Sequence, residues 1–491
     1  MPDVGNEYRM VGRMRSSVRV VALVLACSLV AAGCGSAYTA DELAEIYRGG
    51  STGGAAIGPG AATAVLGDVN IAPGESDGVA GAVVPQLAGP RGTVPGSGRG
   101  ESAEASAAAS SAPVGSGSGG GFTAPGAERS EIVLASVGHY SGLAGASLLP
   151  AKVGIQVWER WVNANGGIGG RPVRVIVEDD NSDVARHVAL VRDLVENRGV
   201  IAFVANFNPL TGQASVEYLQ QKQVPVIGGS PFDPWYATSP IHFSTGSAGD
   251  GAHFGAVAAV KDIADREGLS KLGIIVCAEA DACTDAGRQW ARHAEALGMD
   301  VVYNAQSSLV QPDFTGECLA ARRAGAEIFM LSMAANGNRR VASSCARQSY
   351  EPLFATVSLQ VVPEYVDDEN LDGLAAGATT YPWFLDEVEP AREFQAAMAQ
   401  YQPEFRAGGI SIEAWAAGEL LRRALGDITG EATSASVLEG LYSVRGETLR
   451  GLTIPLTFER DQPNPQRRCW WVTQLRDRVF TSPNGGELQC G

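Results

Sequence analysis

Residues 161–183 read WVNANGGIGGRPVRVIVEDDNSD, and this stretch decides how the chain is interpreted. Glycines at positions 166, 167, 169 and 170 follow a helical pattern and precede the apolar run VRVIV. A phosphate-binding glycine loop has the opposite order, because it follows a strand and opens a helix. Glycine after a helix supplies the left-handed cap that ends it. The stretch therefore predicts a helix, a structural turn and a buried strand that ends at Asp179 and Asp180.

Alternating strand and helix patterns extend from this stretch in both directions. The predicted strands of the first set cover 131–137, 171–180, 200–205 and 224–228, with helices at 147–165, 184–196 and 211–221. A second set of similar size follows residue 246, with strands at 271–277, 299–306, 326–332 and 353–359 and helices at 285–297, 314–324 and 338–348. Helical patterns at 388–400, 412–425 and 435–441 and strand-like runs at 452–459 and 469–475 come last. Such alternation predicts an α/β fold with doubly wound parallel sheets.

Composition and motifs exclude several classes of function. The chain has 491 residues, 45% of them apolar, and a formal charge of −17, so nucleic acid is an unfavourable partner. Residues 129–491 contain no G-x-S-x-G nucleophile elbow, and the histidines form no H-x-x-x-H pair. Asp179 and Asp180 are adjacent on a strand and point to opposite faces. We therefore expect no catalytic residues, no cofactor and no metal.

The amino-terminal residues have the features of an export signal. Four arginines lie before the apolar run Val20–Ala32, which has the length of a signal-peptide core and is too short to span a bilayer. The run leads into AAGC at 31–34, which resembles a bacterial lipobox although Ala31 stands where leucine is usual. We expect a lipoprotein signal peptide at 1–33 and acylation of Cys34, with palmitate among the acyl chains. The alternative is an ordinary secretory signal with an incidental cysteine.

A segment of low complexity separates this signal from the folded region. Residues 35–128 are dominated by Gly, Ala, Ser and Pro, as in GSGSGGG at 115–121. Such a composition cannot bury enough apolar surface to offset the entropy of ordering the chain. We expect a disordered linker over 34–128 that carries the domain 129–491 away from the outer face of the cell membrane. A linker with no defined length requirement is the alternative.

Cysteine content agrees with an exported protein. Of the eight cysteines, Cys27 leaves with the signal and Cys34 takes lipid, so six remain. An even number in an exported chain predicts disulfides, with 15 possible connectivities. We favour pairs of sequence neighbours, namely Cys277 with Cys283, Cys318 with Cys345, and Cys469 with Cys490.

Several motifs resemble those of type I periplasmic binding proteins, close to the leucine/isoleucine/valine-binding branch. They are GHYSGLAG at 138–145, the stretch at 161–183, VPVIGGSP at 224–231 and DFTGECLAARRAGAEIFML at 313–331. The resemblance covers Glu131 to about Val479. It implies two doubly wound parallel-sheet lobes joined by a three-strand hinge, with lobe 1 at about 129–246 and 383–452 and lobe 2 at about 247–382 and 453–491.

The resemblance also implies a ligand site at the strand-end loops, where helix amino termini present N–H groups and partial positive charge. The candidate ligand-binding residues are Tyr140, Ser141, Asn206, Asn208, Gly229, Ser230, Glu279 and Asp281. Two departures weaken the transfer of an amino-acid ligand. Asn206 and Asn208 stand where the family usually has serine, and no aromatic residue is matched near Ala282. Phe207, Phe232 and Trp235 are candidates for an apolar wall.

The function implied by the resemblance is solute capture without chemistry. The expected protein is an extracytoplasmic, lipid-anchored monomer that binds a small polar ligand, an amino acid or a related compound. It would deliver that ligand to the permease of an ABC transporter, a partner implied by the family alone. One alternative is a ligand-sensing module of a signalling system. The other is an exported enzyme that uses Ser141 or Ser230.

Overall fold

The computed structural model describes residues 130–426 and 428–491. The predicted signal peptide at 1–33, the acylation site at Cys34 and the linker at 34–128 lie outside the described residues. Among the described residues, no helix has both the length and the apolar character that a membrane crossing requires.

The first sheet is parallel and has the strand order β2-β1-β3-β4-β5. Its strands are β1 (Ile132–Gly138), β2 (Val173–Asp179), β3 (Ala202–Asn206), β4 (Val226–Gly229) and β5 (His242–Phe243). The three central strands β1, β3 and β4 are buried along nearly their whole length. Continuous apolar runs such as IVLASV form these strands because helices cover both faces of a parallel sheet.

Helices from two distant parts of the chain cover this sheet. From the first part come α1 (Gly145–Ala164), α2 (Val184–Glu196), α3 (Gln213–Lys222) and the short α4 (Pro234–Thr238). From the second come α9 (Glu389–Tyr401), α10 (Gly409–Leu425) and α11 (Ser434–Tyr442). Helix α10 packs against α1, β3 and β4, while α9 packs on α1 and α11 on α10. The chain thus returns to its first sheet after it has built the second.

The second sheet has the order β14-β13-β10-β9-β8-β6-β7. Its parallel strands are β6 (Lys271–Cys277), β7 (Asp300–Ser307), β8 (Ile328–Ser332), β9 (Leu353–Val357) and β10 (Ala375–Ala378). An antiparallel edge follows, made of β13 (Cys469–Arg476) and β14 (Val479–Thr481), with β15 (Gln489–Cys490) paired to β13. A separate ribbon joins β11 (Arg445–Glu447) to β12 (Leu456–Thr457). The α/β class and the two sheets are confirmed, and the antiparallel edge is an addition to the prediction.

The helices of the second sheet are α5 (Asp250–Glu267), α6 (Asp281–Ala296), α7 (Thr315–Ala324) and α8 (Ala334–Ala346). Helix α5 packs on β10 and β13, and α6 packs on β6 and β7. Short 3-10 turns occupy Gly142–Ala144, Ser358–Gln360, Pro363–Asp367 and Glu369–Leu371. Helix α8 begins four residues before its predicted start, because the glycine and asparagines of AANGN lie inside the helix rather than in a loop.

The glycine turn after α1 has the predicted structural role. Gly166, Gly167 and Gly169 all have positive φ, and the Gly167 amide donates to the Val162 carbonyl at 2.8 Å. A Cβ atom on Gly167 would lie 1.9 Å from the Arg171 carbonyl oxygen. Only glycine fits this close return of the chain, and the turn aims β2 back along β1.

Three chain segments cross side by side between the two sheets. Gly246 lies on the first crossing, and a Cβ atom there would be 2.5 Å from the carbonyl oxygen of Thr379 on the second. Thr380 forms an isolated antiparallel bridge with Thr453 on the third. The predicted strand at 452–459 is therefore mostly this crossing, and only Leu456–Thr457 is a strand. The three-segment hinge agrees with the prediction, while the lobe boundaries at about 246, 382 and 452 stay a prediction.

The six described cysteines form three disulfides. They join Cys277 to Cys283, Cys318 to Cys345, and Cys469 to Cys490, the same neighbour pairs that the sequence favours. The last pair ties β13 to β15, and the first closes the loop between β6 and α6.

Candidate functional site

A cavity of about 110 Å³ lies between the two sheets. The side that belongs to the first sheet includes Ala144, Leu148, Leu210, Ser230, Phe232 and Asp233. The side that belongs to the second sheet includes His253, Cys277, Cys283, Ala286, Trp290 and Leu309. Most of these side chains are apolar, so the cavity suits a ligand whose body is also apolar.

Contacts across the cleft bring the two sides together. Ser147 of α1 accepts a hydrogen bond from the backbone N–H of Ala335 in α8, at 2.7 Å. The rings of Phe232 and His253 meet edge to face, with centroids 5.3 Å apart. Movement at the hinge that opens the cleft would break both contacts, so these contacts favour the arrangement in which the two sides are close.

Ser230 is the one predicted ligand-binding residue that the structure places on the cavity wall. Tyr140 is buried beneath β1, where its hydroxyl lies 2.7 Å from the Ser136 hydroxyl. Ser141 is exposed and donates to the Asp179 carboxylate at 2.5 Å. The loop GHYSGLAG is therefore tied to the end of β2 at Tyr140 and Ser141, and Ala144 is the part of it that lines the cavity.

The two predicted asparagines serve the first sheet itself. Asn206 accepts from the backbone N–H of Val137 at 3.0 Å, and Asn208 donates to the Val137 carbonyl at 3.3 Å. Gly229 has a φ of 145°, and a Cβ atom there would lie 2.2 Å from the Tyr236 hydroxyl. These three residues hold neighbouring strand ends in register and do not line the cavity.

The predicted acids of the second sheet lie at the rim of the cleft. Glu279 accepts from the Ser308 hydroxyl at 2.6 Å and from the Leu309 backbone at 2.8 Å. Glu279 and Asp281 line an adjacent pocket together with Leu210 and Trp235. Both acids are thus near the cleft and outside its apolar cavity.

A cluster of buried polar side chains lies at the carboxyl ends of the strands of the first sheet. Asp180 is fully buried and lies 2.6 Å from His139 Nδ1 and 3.0 Å from His187 Nδ1, and it accepts from Thr211 at 2.7 Å. Burial alone would raise the pKa of Asp180, but these hydrogen bonds outweigh it and hold the pKa well below its ordinary range. His139, His187 and Thr211 are buried, so the cluster stabilises the loops and offers no side chain to a substrate.

Asp233 is the main site residue that the sequence analysis missed. It is 2% exposed, precedes α4 and lies on the cavity wall. Burial raises the pKa of Asp233 to about 8, which a hydrogen bond with Ser230 offsets only in part. Its Oδ2 atom has no hydrogen-bond partner among the described residues. In the sequence, Asp233 is an acid three residues after Ser230 and just before a proline. This pattern predicts a helix cap as well as it predicts a ligand-binding residue.

Two further polar groups on the opposite wall lack partners. His253 Nδ1 and Trp290 Nε1 are buried without a hydrogen bond among the described residues. Burial lowers the pKa of His253 to about 4, so its ring is neutral at pH 7. Buried polar groups without partners are rare in proteins and mark places where a further partner belongs.

Glu413 joins the first sheet's helices to the hinge. It lies on α10 and accepts from Ser358 at 2.8 Å, just after β9, and from Thr379 at 3.3 Å. Burial raises the pKa of Glu413 to about 7, and the two hydroxyls offset this only in part. The residue thus connects both sheets where the chain crosses between them. No group of His, Cys, Asp and Glu among the described residues is arranged to hold a metal ion.

Comparison with known proteins agrees with this architecture. A profile of the family described as "Periplasmic binding protein" matches residues 131–480. Comparison with curated proteins finds no match.

Three binding proteins of known structure share this fold. A fatty acid ABC transporter substrate-binding protein from Thermomonospora curvata has a TM-score of 0.63 at 16% identity, covering 72% of this chain and 91% of its own. A possible leucine/isoleucine/valine-binding protein from Rhodopirellula baltica gives 0.63 at 16% identity, with 73% and 98% covered. A solute-binding protein of an ABC transporter from R. palustris, in complex with benzoate, gives 0.60 at 15% identity, with 73% and 98% covered.

Proposed function

Since this chain belongs to the periplasmic binding protein family, we propose that it captures a small solute in the cleft and delivers it, unchanged, to an ABC importer. The observation that carries the proposal is the cavity of about 110 Å³ between two sheets that are joined by three crossing segments. A ligand that contacts both walls favours the arrangement in which the walls are close.

The hinge supplies the movement that such a mechanism needs. Within the described residues, three segments lie side by side between the sheets near Gly246, Thr380 and Thr453, so rotation of one lobe on the other requires changes in few backbone angles. We assign lobe 1 to about 129–246 and 383–452 and lobe 2 to about 247–382 and 453–491. In the closed arrangement, the two lobes together would form the surface to which a permease binds.

The structural neighbours support transport as the purpose of capture. Two of them are named as solute- or substrate-binding proteins of ABC transporters, one for fatty acid and one in complex with benzoate. Both ligands carry an apolar body, as the apolar cavity of this chain also requires. At 15–16% identity the likeness concerns the fold, so the ligand of this chain is argued from its own residues.

We further propose that the protein is exported and held at the outer face of the cell membrane by lipid on Cys34. The apolar run Val20–Ala32 and the AAGC sequence that follows support this anchor. Cys34→Ala should release the protein from the membrane fraction into the medium. Retention of this variant in the membrane fraction would contradict the lipid anchor.

Hydrogen–deuterium exchange tests solute capture directly. A thermal-shift screen of small metabolites first finds compounds that stabilise the purified protein. Any true ligand should then slow exchange at two separate places, around Ala144–Leu148 and around Ala280–Ala286. Protection of one wall alone, or chemical conversion of the bound compound, would contradict the proposal.

A further inference from the structure

We propose that the cleft takes a small organic ammonium compound, with an apolar body and one amine that Asp233 and His253 hold together. This inference rests on the proposed function, because it names the ligand class of the same cleft. It departs from an amino-acid ligand, since no Lys or Arg lines the cavity in the described part of the chain.

The unpartnered groups of the cavity favour a ligand rich in N–H donors. Asp233 Oδ2 has no partner among the described residues, and it is an acceptor once a bound cation has ionised the carboxyl. His253 Nδ1 is a second buried atom without a partner, and it accepts in the neutral tautomer that carries its proton on Nε2. The residues Asp233 and His253 line the cavity from different sheets. An ammonium group carries three N–H donors, and one such group can therefore satisfy acceptors on both walls.

The charges around the cavity also favour a cation. No Lys or Arg is among the residues that line this cavity in the described part of the chain. A carboxyl buried in apolar surroundings without a cationic partner is held in its neutral form, and a bound cation reverses that preference. The formal charge of −17 further raises the local concentration of small cations.

Aromatic rings complete the surroundings that a cation prefers. Phe232 and Trp290 line the cavity together with Asp233. The Phe232 and His253 rings lie 5.3 Å apart, and the His253 and Trp290 rings lie 6.5 Å apart. Ring faces attract an ammonium group, most strongly where water is excluded. Trp290 Nε1 leaves one donor for a hydroxyl or carbonyl elsewhere on a ligand.

The size of the cavity limits the ligand. Its volume of about 110 Å³ is below the roughly 150 Å³ of an engineered cavity that holds benzene. A body of about six non-hydrogen atoms is therefore the scale expected. The apolar walls, which include Leu148, Leu210 and Ala286, suit a branched alkyl or aromatic body.

Calorimetry with four probes of one shape separates the possible charges. Isoamylamine is a cation, isoamyl alcohol is neutral, isovalerate is an anion and leucine is a zwitterion, while all carry the same branched alkyl body. At pH 7, isoamylamine should bind at least about tenfold more tightly than the alcohol, because only the amine pairs with Asp233. Isovalerate and leucine should bind more weakly than both.

Matched variants place the effect on one carboxylate. Asp233→Asn should weaken isoamylamine binding by about a hundredfold and leave the alcohol within about threefold, because the pair charge is lost and the shape is kept. Asp300→Asn removes an exposed carboxylate at the start of β7 and should change neither. Thermal unfolding of each variant shows that the fold is retained.

Proton release gives a second readout that a structural role would not produce. Ionisation of Asp233 on amine binding should release about one proton, measured at pH 7 in buffers of different ionisation enthalpy. The titratable neighbours are Tyr236 and His253, and burial keeps both neutral at this pH because it raises the pKa of the tyrosine and lowers that of the histidine.

The outcomes distinguish this inference from the proposed function. Isovalerate or the alcohol binding as tightly as the amine, or Asp233→Asn binding the amine as well as the parent, would overturn the ammonium assignment. Such a ligand that still protected both walls would leave solute capture intact. Failure of every probe and every metabolite to bind would overturn both proposals.

Discussion

Two buried aspartates follow strands of the first sheet, and they differ in the hydrogen bonds that their carboxyl groups make. Asp180 follows β2, is fully buried, and is hydrogen-bonded by two histidines and a threonine. Asp233 comes just after β4, is 2% exposed, and has an oxygen without a partner among the described residues. Burial penalises the charge of both, and only Asp180 has the hydrogen bonds that outweigh it.

The difference separates support from recognition. A buried charge with all its hydrogen bonds made fixes the loops around it, and it has no capacity left for a ligand. A buried carboxyl with an oxygen that makes no hydrogen bond lowers the stability of the fold. When a cavity lies beside it, a bound ligand can supply the missing partner. The Asp180 cluster is therefore the scaffold of the strand ends, and Asp233 is the recognition group.

The largest expected effect breaks the scaffold. Asp180→Asn should lower the free energy of unfolding by about 3 kcal/mol, because an amide cannot accept from both histidines as a carboxylate does. Asp233→Asn should not lower it at pH 7, because the amide matches the neutral carboxyl of the folded state and removes a carboxyl that ionises in the unfolded chain. Urea unfolding followed by circular dichroism measures both. Equal losses for the two variants would contradict the separation of roles.

The next effect appears in the pH dependence. Asp233 has a folded-state pKa of about 8, above its unfolded value, so its contribution is complete at low pH and is lost as pH rises. The stability of the parent relative to Asp233→Asn should therefore fall by up to about 1.4 kcal/mol per pH unit between about pH 4 and pH 8. Unfolding curves at several pH values test this.

Asp180 should give the opposite sign. Its folded-state pKa is lowered, so its contribution is present above the unfolded value and is lost as pH falls below about 4. For Asp233, a difference in unfolding free energy between the parent and Asp233→Asn that does not change with pH would contradict this. It would show that the Asp233 carboxyl is ionised in the free protein.

A smaller effect on ligand binding distinguishes Ser230 from Ser141, which the sequence predicts to be equivalent ligand-binding residues. Ser230→Ala should weaken isoamylamine binding by about threefold to tenfold, because Ser230 lines the cavity and bonds Asp233. Ser141→Ala should change binding less than twofold, since its hydroxyl serves Asp179 outside the cavity. Calorimetry compares them, and a larger loss for Ser141→Ala would return the site to the first strand-end loop.

The sequence predicts the fold well because its signals are local. Buried parallel strands need continuous apolar runs, and the glycine turn at 166–170 admits one geometry. The antiparallel edge was not visible, because strand direction depends on where the chain returns after α11.

The site was predicted less well because polar residues in loops depend on distant partners. Ser141, Asn206 and Glu279 have the residue types of ligand groups, yet each spends its hydrogen bonds on neighbouring loops or strands. Asp233 reads as a helix cap next to proline, and only burial against the opposite sheet reveals its free oxygen. No local pattern distinguishes these cases.

A crystal structure of the protein with isoamylamine tests the central claim most directly. We expect density for the amine in the cleft between the two sheets, with its nitrogen about 3 Å from the Asp233 carboxylate and near His253. Density at the Ser141–Asp179 loop with an empty cleft would contradict it.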